Sequence, residues 1–196
     1  MPKSPPIKVG VLAVQGDYEA HASMLKRVDA EVVFVRTVGD MRGINALVLP
    51  GGESSTQLQF ITEEGLDKSI SDFAAHGGAI LGTCAGAILL ARKVTNPAQK
   101  SLGIADLTVA RNAYGRQLAS EIRTGKSKVS DHPLEMVFIR APIIEKFGRG
   151  VEVLAVSKGN PVLVEQGRVL VATFHPELTA DPTIHEYFLR LARSGK

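Results

Sequence analysis

Three times before residue 90 a short apolar run ends in a glycine-bearing turn and gives way to a helical pattern. The runs are Ile7–Val14, Ala46–Leu49 and Ala79–Leu81. The turns are Gln15-Gly16-Asp17, Pro50-Gly51-Gly52 and Gly82-Thr83-Cys84-Ala85-Gly86. A strand that is apolar on both faces has to be covered on both faces. A chain that alternates such strands with helices does this with a parallel sheet between helical layers. Glu31–Arg36, rich in β-branched residues, reads as one more strand. Helices are expected from an Asp17 cap to about Val28, with Ala20, Met24, Leu25 and Val28 inward, and from a Ser54 or Ser55 cap to about Glu64. Two more are expected, over Leu66–Ala75 before the stop His76-Gly77-Gly78 and from the Cys84 turn through Arg92.

The second half changes character. Leu107–Arg111, Ala119–Arg123, Met136–Arg140, Val151–Val156, Pro161–Gln166 and Arg168–Phe174 are strand-like, and Thr183–Ala192 reads as a closing helix. The expected fold is therefore α/β: a mostly parallel sheet flanked by helices, with antiparallel additions, in one domain of residues 1–196 whose residues 1–6 are a flexible extension.

Composition narrows the function. With 44% hydrophobic and 22% charged residues, the 196-residue chain can build a core. Its net charge of +3 is spread without a basic block, and 5% aromatics with no Trp offer no stacking platform, so nucleic acid is not an expected partner. The single cysteine excludes a disulfide framework and cysteine-rich zinc sites. The longest mainly apolar run, Ala79–Ala91, is too short for a bilayer, and no signal-peptide stretch precedes Ile7. A cytoplasmic setting without a membrane is expected.

The chemistry concentrates at three turns. Gly82-Thr83-Cys84-Ala85-Gly86 has the form of a nucleophile elbow, with small residues where the backbone must pass closely. Cys84 would stand at a helix start, with Ala85 N–H free to donate. A buried structural cysteine is the plain alternative. Of five histidines, His21 is placed on the polar side of the first helix, His76 at a helix end, His132 in a turn before Pro133 and His185 in the last helix, all read as solvated. His175 differs: it ends an apolar strand and is followed by Pro176 and Glu177, so a carboxylate two residues on can fix its tautomer. Pro50-Gly51-Gly52-Glu53-Ser54 also links a strand to a helix. Gly52 N–H is a candidate second oxyanion donor beside Ala85. A phosphate loop would need a lysine that the following Ser54-Ser55-Thr56 lacks. His175 and Glu177 alone supply too few ligands for a metal, and none is expected.

Together these motifs resemble the class I, or triad, glutamine amidotransferases, which share a flavodoxin-like sheet. Within them the chain is similar to the branch that forms the glutaminase subunit of pyridoxal 5′-phosphate synthases. The phrases that carry this are Val14-Gln15-Gly16-Asp17 with Glu19 and His21, Pro50 to Ser54, Gly82 to Gly86, Arg111-Asn112 with Gly115-Arg116-Gln117, Phe138-Ile139-Arg140-Ala141-Pro142, and Phe174 to Thr179. Ser55 stands where that branch would be expected to have threonine.

The resemblance implies hydrolysis of L-glutamine by a Cys84–His175–Glu177 triad with an oxyanion hole at Gly52 and Ala85. It implies a glutamine pocket of Gly52, Glu53, Ser54, Arg111, Ile139 and Arg140, and no cofactor. It also implies a barrel-shaped (β/α)8 synthase partner that receives the ammonia, contacts the helix near Gln15–His21 and builds pyridoxal 5′-phosphate (vitamin B6). Arginine suits a substrate carboxylate. Solvated strand-end cations are the plain reading of Arg111 and Arg140. Two other readings stand beside this one. The first is a stand-alone hydrolase or chaperone-like protein of the related cysteine-elbow fold, which usually has a histidine directly after the nucleophile, where this chain has Ala85. The second is a non-catalytic interaction subunit.

Overall fold

The computed structural model describes residues 6–112 and 120–194. Residues 1–5 of the expected N-terminal extension, Gly115-Arg116-Gln117 and Ala119 lie outside the described residues. In chain order the elements are β1 (Lys8–Leu12), α1 (Tyr18–Arg27), β2 (Glu31–Val35), β3 (Ala46–Leu49), α2 (Ser54–Glu63), α3 (Leu66–Ala75), β4 (Ala79–Thr83) and α4 (Ala85–Leu90). The second half contributes β5 (Ala91–Thr95), β6 (Ala105–Ala110), β7 (Ser120–Gly125), β8 (Leu134–Ile139), β9 (Ile143–Phe147), β10 (Glu152–Ser157), β11 (Asn160–Gln166), β12 (Val169–Ala172) and α5 (Thr183–Arg193).

The central sheet has the order β10-β11-β12-β4-β3-β1-β2. From β12 to β2 its neighbours run parallel, and β10 and β11 extend it antiparallel. Every residue of β3, β4 and β12 is buried. The alternation of side chains along a strand divides them between two cores. Ala46, Val48, Leu81, Leu170 and Ala172 face a layer with Leu25 of α1, Phe138 of β8 and Ile184, Phe188 and Leu189 of α5. Leu47, Leu49, Ile80 and Val171 face Ile61 of α2, Leu66 and Ile70 of α3 and Leu89 and Leu90 of α4. Both faces are covered, which is why these strands read as unbroken apolar runs.

The structure departs from expectation in four places. First, α4 stops at Leu90 rather than continuing through Arg92, because Ala91 turns extended (φ −60°, ψ 146°) and opens β5. The string Ala-Ile-Leu-Leu-Ala-Arg favours helix locally, but pairing of β5 with β6 overrides that preference. Second, β9 was not anticipated. It pairs antiparallel with β6 to complete a three-stranded side sheet. Third, α2 is capped by Glu53, whose carboxylate accepts from Ser55 and Thr56 N–H, rather than by a serine. Fourth, the buried stripe of α1 is His21, Ala22, Met24 and Leu25, while Ala20 and Val28 are only half-buried. Among the described residues no helix is long and apolar enough to cross a membrane.

The carboxyl ends of β1, β3, β4 and β12 lie side by side, and the chain leaves them at Gln15–Asp17, Pro50–Gly52, Cys84 and His175. Open parallel sheets gather ligands and chemistry at this edge.

Candidate active site

Cys84 sits between β4 and α4 with φ 47° and ψ −100°. An L residue adopts such a backbone only where its surroundings enforce it, at a cost of roughly 1–3 kcal/mol. Here its N–H is tied to the Ala172 carbonyl at 2.9 Å. Behind it α4 packs directly on β3: a Cβ on Gly86 would overlap the Leu49 carbonyl oxygen. The strand, the helix and the glycine together aim the side chain out of the turn. The sulfur points to the Ile139 carbonyl oxygen at 3.9 Å and is nearly buried.

His175 follows β12 by three residues and precedes a short 3-10 turn, Pro176–Leu178. Its N–H donates to the Val137 carbonyl of β8 at 2.8 Å. The ring is 3% exposed, with Nδ1 2.8 Å from Glu177 Oε1. Gly51 lies flat against this ring, and a Cβ there would overlap it. The Pro50-Gly51-Gly52 turn therefore needs a glycine for the imidazole as well as for the backbone. Burial works against the charged ring. Hydrogen bonds to the Cys84 thiol and the Glu177 carboxylate outweigh it, and the pKa is raised to about 10. Burial pushes the Glu177 carboxyl up, opposed by its hydrogen bond to His175. Cys84 and Glu177 are thus the two side chains that act on the His175 ring.

The six expected pocket residues, Gly52, Glu53, Ser54, Arg111, Ile139 and Arg140, line one cavity of about 110 Å³ together with Cys84. That holds several waters or one small metabolite, well below the ~300–1,000 Å³ typical of drug-sized ligands. Gly52 has φ 148°, and Gln15 holds the next peptide, its Oε1 accepting from Glu53 N–H at 2.7 Å. Ala85 is the first residue of α4, where backbone donors have no helical acceptor. Arg111 donates to Glu53 Oε1 (3.1 Å) and Ser55 Oγ (2.8 Å), so an incoming carboxylate meets a guanidinium already oriented by two partners. Arg140 is exposed.

The spacing argument missed several residues. Gln57 is buried and donates to the carbonyls of Gln15, Pro50 and Gly51, fastening the glycine turn. Asp17 makes no cap bond. Its Oδ2 instead lies 3.4 Å from His175 Nδ1. His76 and His132 are exposed as expected. His21 and His185 are not: both are fully buried, paired with each other, on helices whose inward faces were misjudged. Their signal was available in the positions of Leu25 of α1 and Ile184, Phe188 and Leu189 of α5, which share the same apolar faces.

Asp17, His175 and Glu177 offer three ligand atoms within 4.8 Å. Two ligands of one tetrahedral zinc would stand about 3.3 Å apart, given bonds of ~2.0–2.2 Å. The 2.8 Å between Nδ1 and Glu177 Oε1 is a hydrogen-bond distance instead.

Known proteins were compared with the chain. The SNO glutamine amidotransferase family profile matches residues 11–194. The pyridoxal 5′-phosphate synthase subunit PdxT of Koribacter versatilis is 52% identical over 189 residues, which cover 96% of this chain and 97% of that protein. The subunit of the same name from Thermus thermophilus is 48% identical over 186 residues, 94% and 97% of the two chains. A crystal structure described as a glutamine amidotransferase superposes with a TM-score of 0.88 at 45% identity, covering 94% of this chain and 98% of the other. PurLQS from Thermotoga maritima, at 17% identity and a TM-score of 0.66, covers 94% and 98% and shares the fold.

Proposed function

The chain belongs to the SNO glutamine amidotransferase family, and from that membership and the Cys84 cleft we infer that it is the glutaminase subunit of a pyridoxal 5′-phosphate synthase. It hydrolyses L-glutamine to L-glutamate and ammonia and delivers the ammonia to a (β/α)8-barrel synthase subunit in the cytoplasm. The observation that carries this reading is the buried His175 ring, bonded at Nδ1 to Glu177 and with its charged form favoured by Cys84, whose side chain lines the cavity.

The chemistry follows from that placement. The Cys84 thiol gives its proton to His175, and the sulfur attacks the glutamine side-chain amide carbon. The amide oxygen becomes an anion facing the N–H groups of Gly52 and Ala85. Each such donor is worth ~2.7–4 kcal/mol of transition-state stabilisation. His175 passes its proton to the amide nitrogen, which leaves as ammonia, and a γ-glutamyl thioester remains on Cys84. His175 then takes a proton from water, whose oxygen attacks the thioester. Glutamate departs and the thiol is restored. Glu177 keeps the imidazole in one tautomer and stabilises its cation. The Arg111 guanidinium, oriented by Glu53 and Ser55, meets the substrate α-carboxylate. The Ile139 carbonyl and Arg140 close the wall of the pocket beside the thiol.

The test uses the assembled enzyme. The chain is mixed with the synthase subunit, and glutamate and ammonia release are measured for wild type and Cys84→Ala. Release by wild type and none by Cys84→Ala is expected. No release by wild type in a mixture whose synthase makes pyridoxal 5′-phosphate from added ammonium excludes the glutaminase reading.

A further inference from the structure

Two histidines that this hydrolysis does not use lie in the dry interior directly behind its carboxylate. His21 of α1 and His185 of α5 are both 0% exposed. His21 Nδ1 and His185 Nε2 are 2.9 Å apart. The other nitrogen of His21, Nε2, lies 3.0 Å from Thr83 Oγ1 and 3.3 Å from Glu177 Oε2. Glu177 Oε1 is taken by His175, whereas Oε2 is buried without a hydrogen-bond partner, with His21 Nε2 facing it. One line of polar atoms therefore runs from His185 through His21 and Glu177 to His175 and Cys84.

Which way the protons point along this line can be decided physically. Both rings are neutral: burial, with repulsion from His185 and His175, holds His21 well below its usual value, and burial lowers His185 to about 4. Each neutral ring carries one N–H, and the proton between them belongs to one ring or the other. Suppose it belongs to His21. Then His21 Nε2 is a bare lone pair facing a carboxylate oxygen, and His185 Nδ1 carries a buried N–H that meets no partner. Suppose it belongs to His185. Then His21 Nε2–H donates to the Thr83 hydroxyl with its positive end beside Glu177 Oε2, and His185 Nδ1 is only an unfilled acceptor. Orphaned buried donors are rarer than under-used acceptors, and the lone-pair clash with the carboxylate disappears. Both comparisons select the second arrangement.

We propose that His21, its tautomer set by His185, is a positioning residue of the active site, whose Nε2–H, bonded to Thr83 Oγ1, faces Glu177 Oε2 at 3.3 Å and favours that carboxylate ionised and aimed at His175. The proposal rests on the glutaminase reading of Cys84, His175 and Glu177. The titratable groups packed around Glu177 are Asp17 and His21 from α1, Cys84 at the end of β4, His175 beside it and His185 from α5. Of these only His175 and His21 turn an N–H towards it. Burial and the Asp17 charge both act against its ionisation. Without His21 the carboxylate would depend on His175 and on its own backbone N–H.

Two measurements test this. Nitrogen NMR of the imidazoles in the full wild-type chain should show His21 and His185 both protonated at Nε2 and bare at Nδ1 between pH 6 and 8. A bare Nε2 on His21 overturns the proposal, and this readout involves no glutamine. In the assembled synthase, kcat against pH is compared for wild type, His21→Leu and His21→Gln. For His21→Leu a loss in kcat of about 10- to 100-fold is expected, the scale on which a partner behind a reactive group acts. KM should stay within about twofold, and the acid limb should move to higher pH. His21→Gln, which places an amide N–H near the Nε2 position, should restore kcat to within about threefold. An unmoved acid limb in folded His21→Leu also overturns the proposal. If His21→Leu does not fold, the NMR result on the wild type decides. A wild-type enzyme that releases no ammonia would strike down the glutaminase reading and leave the NMR answer standing.

Discussion

The two walls of the cleft are built on opposite principles. Behind the thiol, the ring of His175, the carboxylate of Glu177 and the pair His21–His185 lie in the core where β4, β12, α1 and α5 meet, almost without exposure. In front of it, Glu53, Arg111, Ser55 and Gln99 sit on loops and helix ends and bond chiefly to one another. The rear wall fixes orientations by packing, so each polar atom there needs its partner and loses much without it. The front wall is solvated, so each contact is replaceable by water and by substrate. A group that must move a proton along one line belongs in the first setting. Groups that must release one carboxylate and accept another belong in the second.

The contrast is tested most severely at Glu177. Glu177→Gln keeps the size but puts an amide where His175 needs a charge. In the assembled synthase, kcat is expected to fall by roughly 10³- to 10⁴-fold, with KM changing far less. Unchanged turnover would remove Glu177 from the machinery and reduce the rear wall to packing.

A second test reads the same wall through stability. The folded pKa values of His21 and His185 lie below the unfolded value of about 6.5. The unfolded chain therefore binds protons that the folded chain refuses, and stability falls as pH drops from about 6.5 towards about 4. For His185 alone this amounts to roughly 3 kcal/mol. His175 acts in the other direction: its raised pKa stabilises the fold below about 6.5, and that contribution is lost as pH rises through about 10. Urea unfolding between pH 7 and pH 4 should show His185→Leu less stable than wild type at pH 7 but with a shallower acid slope. Parallel slopes would mean that the imidazole pair is not dry.

These walls also differ in how visible they were beforehand. The elbow and the His-Pro-Glu step are local: a strand end, a tight turn and a spacing of two residues. Their chemistry could be read from Gly82–Gly86 and from His175 and Glu177 without knowing the fold. The strands β3, β4 and β12 were legible for a related reason, since burial on both faces leaves continuous apolar runs. His21 and His185 were not legible. Each looks like a polar residue on a helix, and only the crossing of α1 and α5 over β4, far apart in sequence, makes them a buried pair. The Glu53 cap was hidden similarly, because Ser54 and Ser55 offer equally good caps and the choice falls to tertiary contacts with Gln99 and Arg111. The end of α4 was lost to β6, a partner more than ten residues away.

On the front wall smaller effects are expected. Arg111→Ala removes the guanidinium from Glu53 and Ser55 and from the substrate's path. KM for glutamine should rise about 10- to 100-fold, the cost of a charged hydrogen bond, while kcat falls no more than severalfold. A large fall in kcat with little change in KM would place Arg111 in the chemistry instead.

The finest test is Ser55, the residue that departs from the threonine its resemblance leads one to expect. Its hydroxyl accepts from Arg111 at 2.8 Å and donates to Gln99 Oε1 at 3.2 Å, on an exposed first turn of α2. Threonine keeps the hydroxyl and adds a methyl on the solvent side, so Ser55→Thr should leave KM within about twofold of wild type. Ser55→Ala removes one of the two groups that orient Arg111 and leaves Glu53 to do it alone. Because water can replace the hydroxyl at so exposed a site, KM should rise only about two- to fivefold, with kcat and stability nearly unchanged. A loss for Ser55→Ala as large as that for Arg111→Ala would show the front wall to be as tightly coupled as the rear one. The division between a packed half that does chemistry and a wet half that binds would then fail.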